Sequence, residues 1–218
     1  MTTSQHSGAA TRILLATGNP AKQETLRWLL EGLPLRPVTP GELGLESVPD
    51  EEGDTHEAIS RLKAQEWSRV SSMLVIASDG GLVIPALGNN WESRFTHRFA
   101  GLDADDQERT RQLLEMMRPY KDNEREASWV EAVAIADRGQ VLKSWELKGS
   151  TGIIQEDVGN APQVPGFWVF SLWYFPMFGK TYNELSPREK AALDDHWTRL
   201  KELVQQFFKT SSWADTRS

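Results

Sequence analysis

Apolar positions along this chain follow two rhythms. Near the C-terminus, Leu193, Trp197, Leu200, Val204 and Phe207 recur at intervals of four, three, four and three. That spacing lines one face of an α-helix and predicts a helix over 187–208. Leu26, Leu29 and Leu30 stripe a helix over 22–31, Ile59 and Leu62 one over 56–69, and Leu113, Leu114 and Met117 one over 107–117. The second rhythm is the short continuous apolar run. Residues 12–16, 35–38, 73–77, 129–136 and 141–147 read as buried strands, 82–87 continues extended, and 149–154 is a turn leading into another strand. Ser78-Asp79-Gly80-Gly81 closes the run at 73–77, Gly88-Asn89-Asn90 turns, and Asp137-Arg138-Gly139-Gln140 has the composition of a hairpin turn. Loops fall at 40–46 and 159–166, an acidic loop at 49–55, and an aromatic-rich stretch at 167–178. Strands and helices alternate early and a hairpin lies in the middle, so the expected class is α/β with a mixed sheet and flanking helices.

With 218 residues, no internal repeat and no clear linker, the chain is long enough to bury a sizeable core as one domain. Residues 1–11 read as a flexible lead, 12–208 as the domain and 209–218 as a frayed tail. The absence of cysteine excludes disulfides, thiolate metal sites and a cysteine nucleophile. No apolar run is long enough to span a bilayer, and the first twelve residues lack the apolar centre of a signal peptide. A cytoplasmic protein is expected. A net charge of −7 argues against a large basic face for duplex nucleic acid. It leaves room for a nucleotide held by local cations and a metal. Nine tryptophans point to aromatic core or interface packing.

Candidate chemistry starts at residues 12–24. A buried strand runs into Thr17-Gly18-Asn19; Pro20 suits the first helical position, and Asn19 suits the N-cap. Free backbone N–H groups and Lys22 at that helix start suit a phosphate or carboxylate, although the same pattern is a common α/β connection. Asp79, after a buried strand and before two glycines, reads either as a cleft-rim carboxylate that a ligand approaches closely or as a turn-forming Asp. The acidic loop reads as a metal site or a solvated surface, and Arg98 as a ligand contact or the partner of a carboxylate.

TGNPAKQETL resembles the TGNxxKxxE opening of the inosine triphosphate pyrophosphatase family. Residues 53–64, GDTHEAISRLKA, resemble GxTFxENAxxKA, with Gly53, Thr55, Lys63 and Ala64 matching and Ala58-Ile59 replacing Glu-Asn. Residues 77–88 resemble ADDSGLxVxALxG: Asp79 matches the second Asp, while Ser78 and Gly80 replace the first Asp and the Ser. Thr96 to Gly101 resembles SARYAG through Arg98. Arg125 to Trp129 resembles RxAxF, Phe167 keeps the Phe of GFGYDPxF without its Asp, and residues 180–185 match KTFAEL. Glu189-Lys190 matches the EK that leads to SHR, but those three positions are Asp194, Asp195 and His196, and the Arg is gone.

The resemblance spans about residues 12–200. It implies an elongated mixed sheet, two lobes around a central cleft, a homodimer, and Mg²⁺-dependent hydrolysis of a nucleoside triphosphate to monophosphate and pyrophosphate. Carried over by position, Asp79 is catalytic. Thr17, Gly18, Asn19, Lys22, Lys63, Arg98, Phe167, Lys190, Asp195 and His196 bind substrate. Asp50 or Glu51, with Asp79, holds the metal. The lost base-side residues leave an alternative, a catalytically weak relative that binds a nucleotide or serves in assembly. An ionised Asp195 is acceptor-only and suits an amino-bearing or modified base rather than a 6-oxo purine. Its bland counterpart is that Asp194 and Asp195 merely cap solvent-facing turns of the last helix.

Overall fold

The computed structural model describes residues 10–45, 53–193 and 195–210. Seven strands form one mixed sheet, and it grows from the two rhythms of the sequence. Strand β1 (Thr11–Leu15) feeds helix α1 (Pro20–Leu29), which returns the chain to β2 (Leu35–Val38), parallel to β1. Helix α2 (His56–Ser71) then delivers β3 (Leu74–Val83) to the other side of β1, again parallel. After α3 (Asp106–Met117), the long strands β4 (Glu126–Asp137) and β5 (Gln140–Ile154) form the expected hairpin, with β4 antiparallel to β3 and β5 antiparallel to β4. Short strands β6 (Trp173–Phe175) and β7 (Lys180–Thr181) finish the order β2-β1-β3-β4-β5-β6-β7. Helices α4 (Pro187–Ala192) and α5 (His196–Thr210) follow.

Side chains alternate across a strand, so each central strand feeds two cores. On one face Ile13, Leu15, Leu74, Ile76, Val133 and Ile135 pack with the α1 and α5 stripes through Leu26, Leu29, Trp197, Leu200 and Val204. On the other, Leu14, Val75, Ala77, Ala134 and Ala136 meet Ala64 and Trp67 of α2, where the alanines let the helix lie close. A third, aromatic cluster gathers Leu82, Leu113 and Trp129 with Trp168, Phe170, Trp173, Phe175 and Tyr182.

Several expected boundaries move. Residues 187–208 form two helices, because Asp195 accepts the Thr198 amide at 3.1 Å and so N-caps α5. That helix runs through Thr210, and β1 starts at Thr11, so the domain takes residues from both expected ends. Residues 141–147 and 149–154 are one strand. Residues 82–87 divide between the end of β3 and a 3₁₀ turn over Pro85–Asn90.

The most consequential shift is at Ser78 to Gly81, which lies inside β3 instead of closing it. Asp79 pairs with Ala132, Gly80 with Glu131 and Gly81 with Val130. The glycines serve close approach within a strand. A Cβ on Gly80 would fall on the Glu131 carboxylate, and one on Gly81 on the Ser93 carbonyl.

Candidate functional site

Eight of the expected site residues line one cleft of about 460 Å³: Thr17, Gly18, Asn19, Lys22, Lys63, Asp79, Arg98 and Phe167. They come from the β1–α1 turn, α1, α2, β3 and two loops, so the long-range fold assembles them. Within the turn, Asn19 Oδ1 accepts the amides of Ala21 at 2.9 Å and Lys22 at 3.3 Å, while Thr17 Oγ1 accepts the Asn19 amide at 3.1 Å. The N-cap is as expected, but it engages two of the helix-start amides that the sequence suggested were free. Gly166, at φ 82°, packs on this turn: a Cβ there would stand 2.6 Å from Asn19 Nδ2. That contact brings Phe167 to the cleft.

Asp79 is buried in the floor. His56 Nδ1 stands 2.6 Å from its Oδ2, and Lys63 Nζ 3.4 Å from its Oδ1. Burial pushes the Asp79 carboxyl up, but the His56 hydrogen bond and the charges of Lys22 and Lys63 outweigh it, holding the group below the usual carboxylate range. His56 Nε2 lies 3.0 Å from Ser93 Oγ, so both ring nitrogens are engaged.

Glu131, beneath Gly80, is wholly buried; Trp129 Nε1 donates to its Oε2 at 2.7 Å, and its Oε1 has no hydrogen-bond partner. Burial drives this carboxyl upward, with Asp79 adding to the effect and Lys22 and Trp129 opposing it. Arg94 reaches the cleft with a guanidinium held by Glu92 and the Gly53 carbonyl. Arg98 stands over the Phe95 ring.

A second pocket adjoins through Phe167. It includes Trp28, Phe170, Tyr182, Asn183, Lys190 and Asp195. Lys190 Nζ sits 4.3 Å from the Tyr182 ring centre, and burial pushes the pKa of its amine down while Asp195 opposes. Asp195 is 3% exposed: Tyr182 Oη donates to Oδ1 at 2.5 Å, and the Thr198 amide donates to Oδ2. Asp195 thus caps the last helix, but at a buried position and not at the solvent-facing turn expected of a capping Asp, and both of its oxygens, the expected acceptors for an amino group, already take hydrogen bonds; Asp194 lies outside the described residues. His196 is also placed differently from its expected role. Its ring is wholly buried between Trp129 and Tyr182, against Gly149, and lines neither pocket. Neither of its nitrogens has a hydrogen-bond partner, and burial lowers its pKa to about 4.

Asp50 and Glu51 lie outside the described residues, and among the described residues no group of three His, Asp or Glu surrounds a metal position. Asp79 alone still fits one place in an oxygen-coordinated divalent site. It is ionised, and the 3.4 Å contact from Lys63 leaves Oδ1 able to exchange partners. No helix among the described residues is long and apolar enough to cross a membrane.

Sequence reasoning passed over His56, Ser93, Glu131 and Tyr182. Two left a signal. His56 replaces the Phe of GxTFxENA, and Glu131 is the lone charge within the apolar run 129–136.

A mixed α/β sheet brings a polar strand–helix turn, two lysines and a buried carboxylate to one cleft, an arrangement suited to an anionic ligand. The chain belongs to the Ham1 family, whose pattern matches residues 13–206. It is 33% identical over 191 residues to a dITP/XTP pyrophosphatase of Yersinia pestis, covering 87% of this chain and 94% of that protein. It is 32% identical over 197 residues to the dITP/XTP pyrophosphatase of Thermus thermophilus, covering 90% and 91% respectively. Its fold matches that of a HAM1 protein from Coxiella burnetii with a TM-score of 0.75 at 26% identity, covering 92% of this chain and all of that one.

Proposed function

We propose that the protein is a nucleoside triphosphate pyrophosphatase, cleaving a deaminated or modified nucleoside triphosphate into monophosphate and pyrophosphate. The observation that carries this reading is the meeting of Lys22, Lys63, Asp79 and the Thr17-Gly18-Asn19 turn in one cleft. Relatives at about this distance bear the name dITP/XTP pyrophosphatase, which supports the substrate class.

Lys22, Lys63 and Arg98 would neutralise the triphosphate, and the turn would hold it against the start of α1. Asp79 would accept a hydrogen bond from the attacking water and aim it at the α-phosphorus, so that the bond to the β-phosphate oxygen breaks and pyrophosphate leaves. A divalent cation, Mg²⁺ in this reading, would be held by Asp79 with Asp50 or Glu51 and would offset the charge on the reacting phosphates. Phe167 would stack on the base, with Lys190 and Asn183 at its edge. The working protein is read as a cytoplasmic homodimer. A second reading, a nucleotide binder without turnover, draws on the hydrogen bonds that Asp195 already makes to Tyr182 and Thr198 and on the burial of His196 outside both pockets.

A panel of nucleoside triphosphates with Mg²⁺, assayed for pyrophosphate, separates the two. Metal-dependent release from at least one is expected. Tight binding with no pyrophosphate from any of them would overturn the enzymatic reading.

A further inference from the structure

We propose that His56 is a positioning residue for the hydrolytic step: braced by Ser93, its ring locks one oxygen of Asp79 and leaves the other facing Lys63 and the cleft. This rests on the reading of the cleft given above. It goes beyond that reading because the motif this stretch resembles carries a Phe at position 56, which cannot hydrogen-bond a carboxylate.

The brace is continuous from strand to strand. His56 is the first residue of a sixteen-residue helix, and its backbone is fixed by the Thr55 cap, whose Oγ1 accepts the Ala58 amide at 3.0 Å. The ring is 4% exposed. Nδ1 stands 2.6 Å from Asp79 Oδ2 and Nε2 3.0 Å from Ser93 Oγ. An ionised carboxylate only accepts, so Nδ1–H donates to Asp79, and Nε2 shares a hydrogen bond with the Ser93 hydroxyl. Rotating the ring would break both bonds.

Ser93 is itself stitched to β3. Its carbonyl sits where Gly81 has no Cβ and accepts from Thr96 Oγ1 at 2.6 Å; that hydroxyl oxygen accepts the Leu82 amide at 2.9 Å. The path from Asp79 through His56, Ser93 and Thr96 therefore closes on Leu82, three residues along the same strand. An Asp side chain retains two torsions even when its backbone is fixed. A hydrogen bond to one oxygen removes most of that freedom, and small misplacements of a reacting group are costly. The Lys63 contact at 3.4 Å is the looser of the two on Asp79, so Oδ1 is the oxygen available to water or metal.

Ser93, His56 and Asp79 also have the connectivity of a nucleophile, its base and an orienting acid. The positioning reading is preferred because neither Ser93 nor His56 lines the cleft that holds Lys22, Lys63 and Phe167. They open instead on a neighbouring groove with Thr55 and Glu146, which shares only Arg94 with that cleft. Ser93 cannot then be the group that meets a phosphoryl centre bound by the lysines.

The test compares His56→Phe, His56→Asn and Ser93→Ala on the best nucleoside triphosphate with Mg²⁺, reading kcat, KM and melting temperature. The Asn side-chain amide can stand in for Nδ1–H, whereas Phe keeps the bulk alone. Expected are a loss of about tenfold or more in kcat for His56→Phe with KM within about twofold, recovery to within about threefold for His56→Asn, and an intermediate loss for Ser93→Ala. Wild-type kcat in His56→Phe would overturn the proposal. So would equal damage from Phe and Asn that tracks their melting temperatures. An Nε2–H tautomer for His56 in nitrogen-resolved NMR would overturn it without reference to turnover. Stoichiometric labelling of Ser93 by an organophosphorus ester would also overturn it, making Ser93 a nucleophile. An inactive wild-type protein across the whole panel would instead be the failure of the pyrophosphatase reading.

Discussion

The two ends of the proposed ligand groove, the phosphate end and the base end of the pyrophosphatase reading, are built in opposite ways. At the phosphate end, polar side chains from four segments face an open cleft, and the groups that matter are charged: Lys22, Lys63, Asp79 and Arg98. At the base end, polar groups turn inward. Asp195 is consumed by Tyr182 and Thr198, and His196 is sealed among rings, with Trp129–Phe170 centroids 4.8 Å apart, Phe170–Tyr182 4.7 Å and Trp173–Tyr182 5.2 Å. The first end is organised for a ligand and the second largely for the protein itself. Substitutions at the phosphate end should therefore cost activity more than stability, and buried substitutions at the base end the reverse.

The strongest test of that contrast is Asp79→Asn. Removing the charge while keeping the shape should lower kcat by about a thousandfold or more, on the scale of losing a group that stabilises or orients the reacting atoms. The protein should still fold, since the amide fills the site, with the loss of the charge that His56 and Lys63 contact showing as a lowered melting temperature. A folded Asp79→Asn protein with wild-type turnover would show that the phosphate end is not where the chemistry occurs.

Lys22→Ala should come next. A cation in the first turn of α1 works against the helix dipole, so its loss should leave stability within about 0.5 kcal/mol while raising KM and lowering kcat/KM by about ten- to a hundredfold. An altered melting temperature with unchanged kinetics would move Lys22 to the structural side of the comparison.

Between the two ends lies Gly80. Its missing Cβ makes room for the Glu131 carboxylate, so Gly80→Ala should destabilise the fold by about 1–3 kcal/mol, the usual cost of overpacking a tight interior. Pairing it with Glu131→Ala should restore part of the loss, because the carboxylate is then gone and the Val130 carbonyl, 2.8 Å from that Cβ, remains. Denaturant midpoints of the two single variants and the double variant measure the coupling, and strict additivity would show that the two residues do not share that space.

The phosphate end was legible in the sequence because its rules are local. A strand, a small polar turn, Asn19 before Pro20 and a Lys one turn on are read within a dozen residues, and the structure reproduces that cap. Helices with clear stripes were legible for the same reason. The glycines after Asp79 were not, because Gly-Gly is read as a turn unless one knows that Glu131 and Ser93 press against the strand from elsewhere in the chain. The last helix misled through its regularity. Nothing within residues 187–208 reveals that Tyr182 will capture Asp195 and that Asp195 will then start a new helix. His196 followed from counting alone, and counting places a residue on a helix without saying which neighbours will bury it.

His196 gives the smallest effect and the clearest signature of the inward-turned end. Its folded pKa lies near 4 because burial disfavours the charged ring, a tendency that Lys190 and Arg199 reinforce and Asp195 opposes. The unfolded value is about 6.5, so at lower pH the unfolded chain binds a proton that the folded one refuses. Stability must therefore fall as pH drops through 6.5 toward 4, by about 2 kcal/mol at pH 5 and by almost nothing at pH 7.5. His196→Phe keeps an aromatic ring between Trp129 and Tyr182 and removes the titration. Variant and wild type should thus differ in denaturant midpoint by a small amount at pH 7.5, with the variant gaining about 2 kcal/mol on wild type at pH 5, since the carboxylates common to both cancel in the difference. Turnover at pH 7.5 should be nearly untouched, because the ring lines neither pocket. A midpoint difference that is flat across this pH range would show that the ring is hydrated or partnered in solution. A large fall in kcat at pH 7.5 would place His196 on the ligand's side of the groove after all.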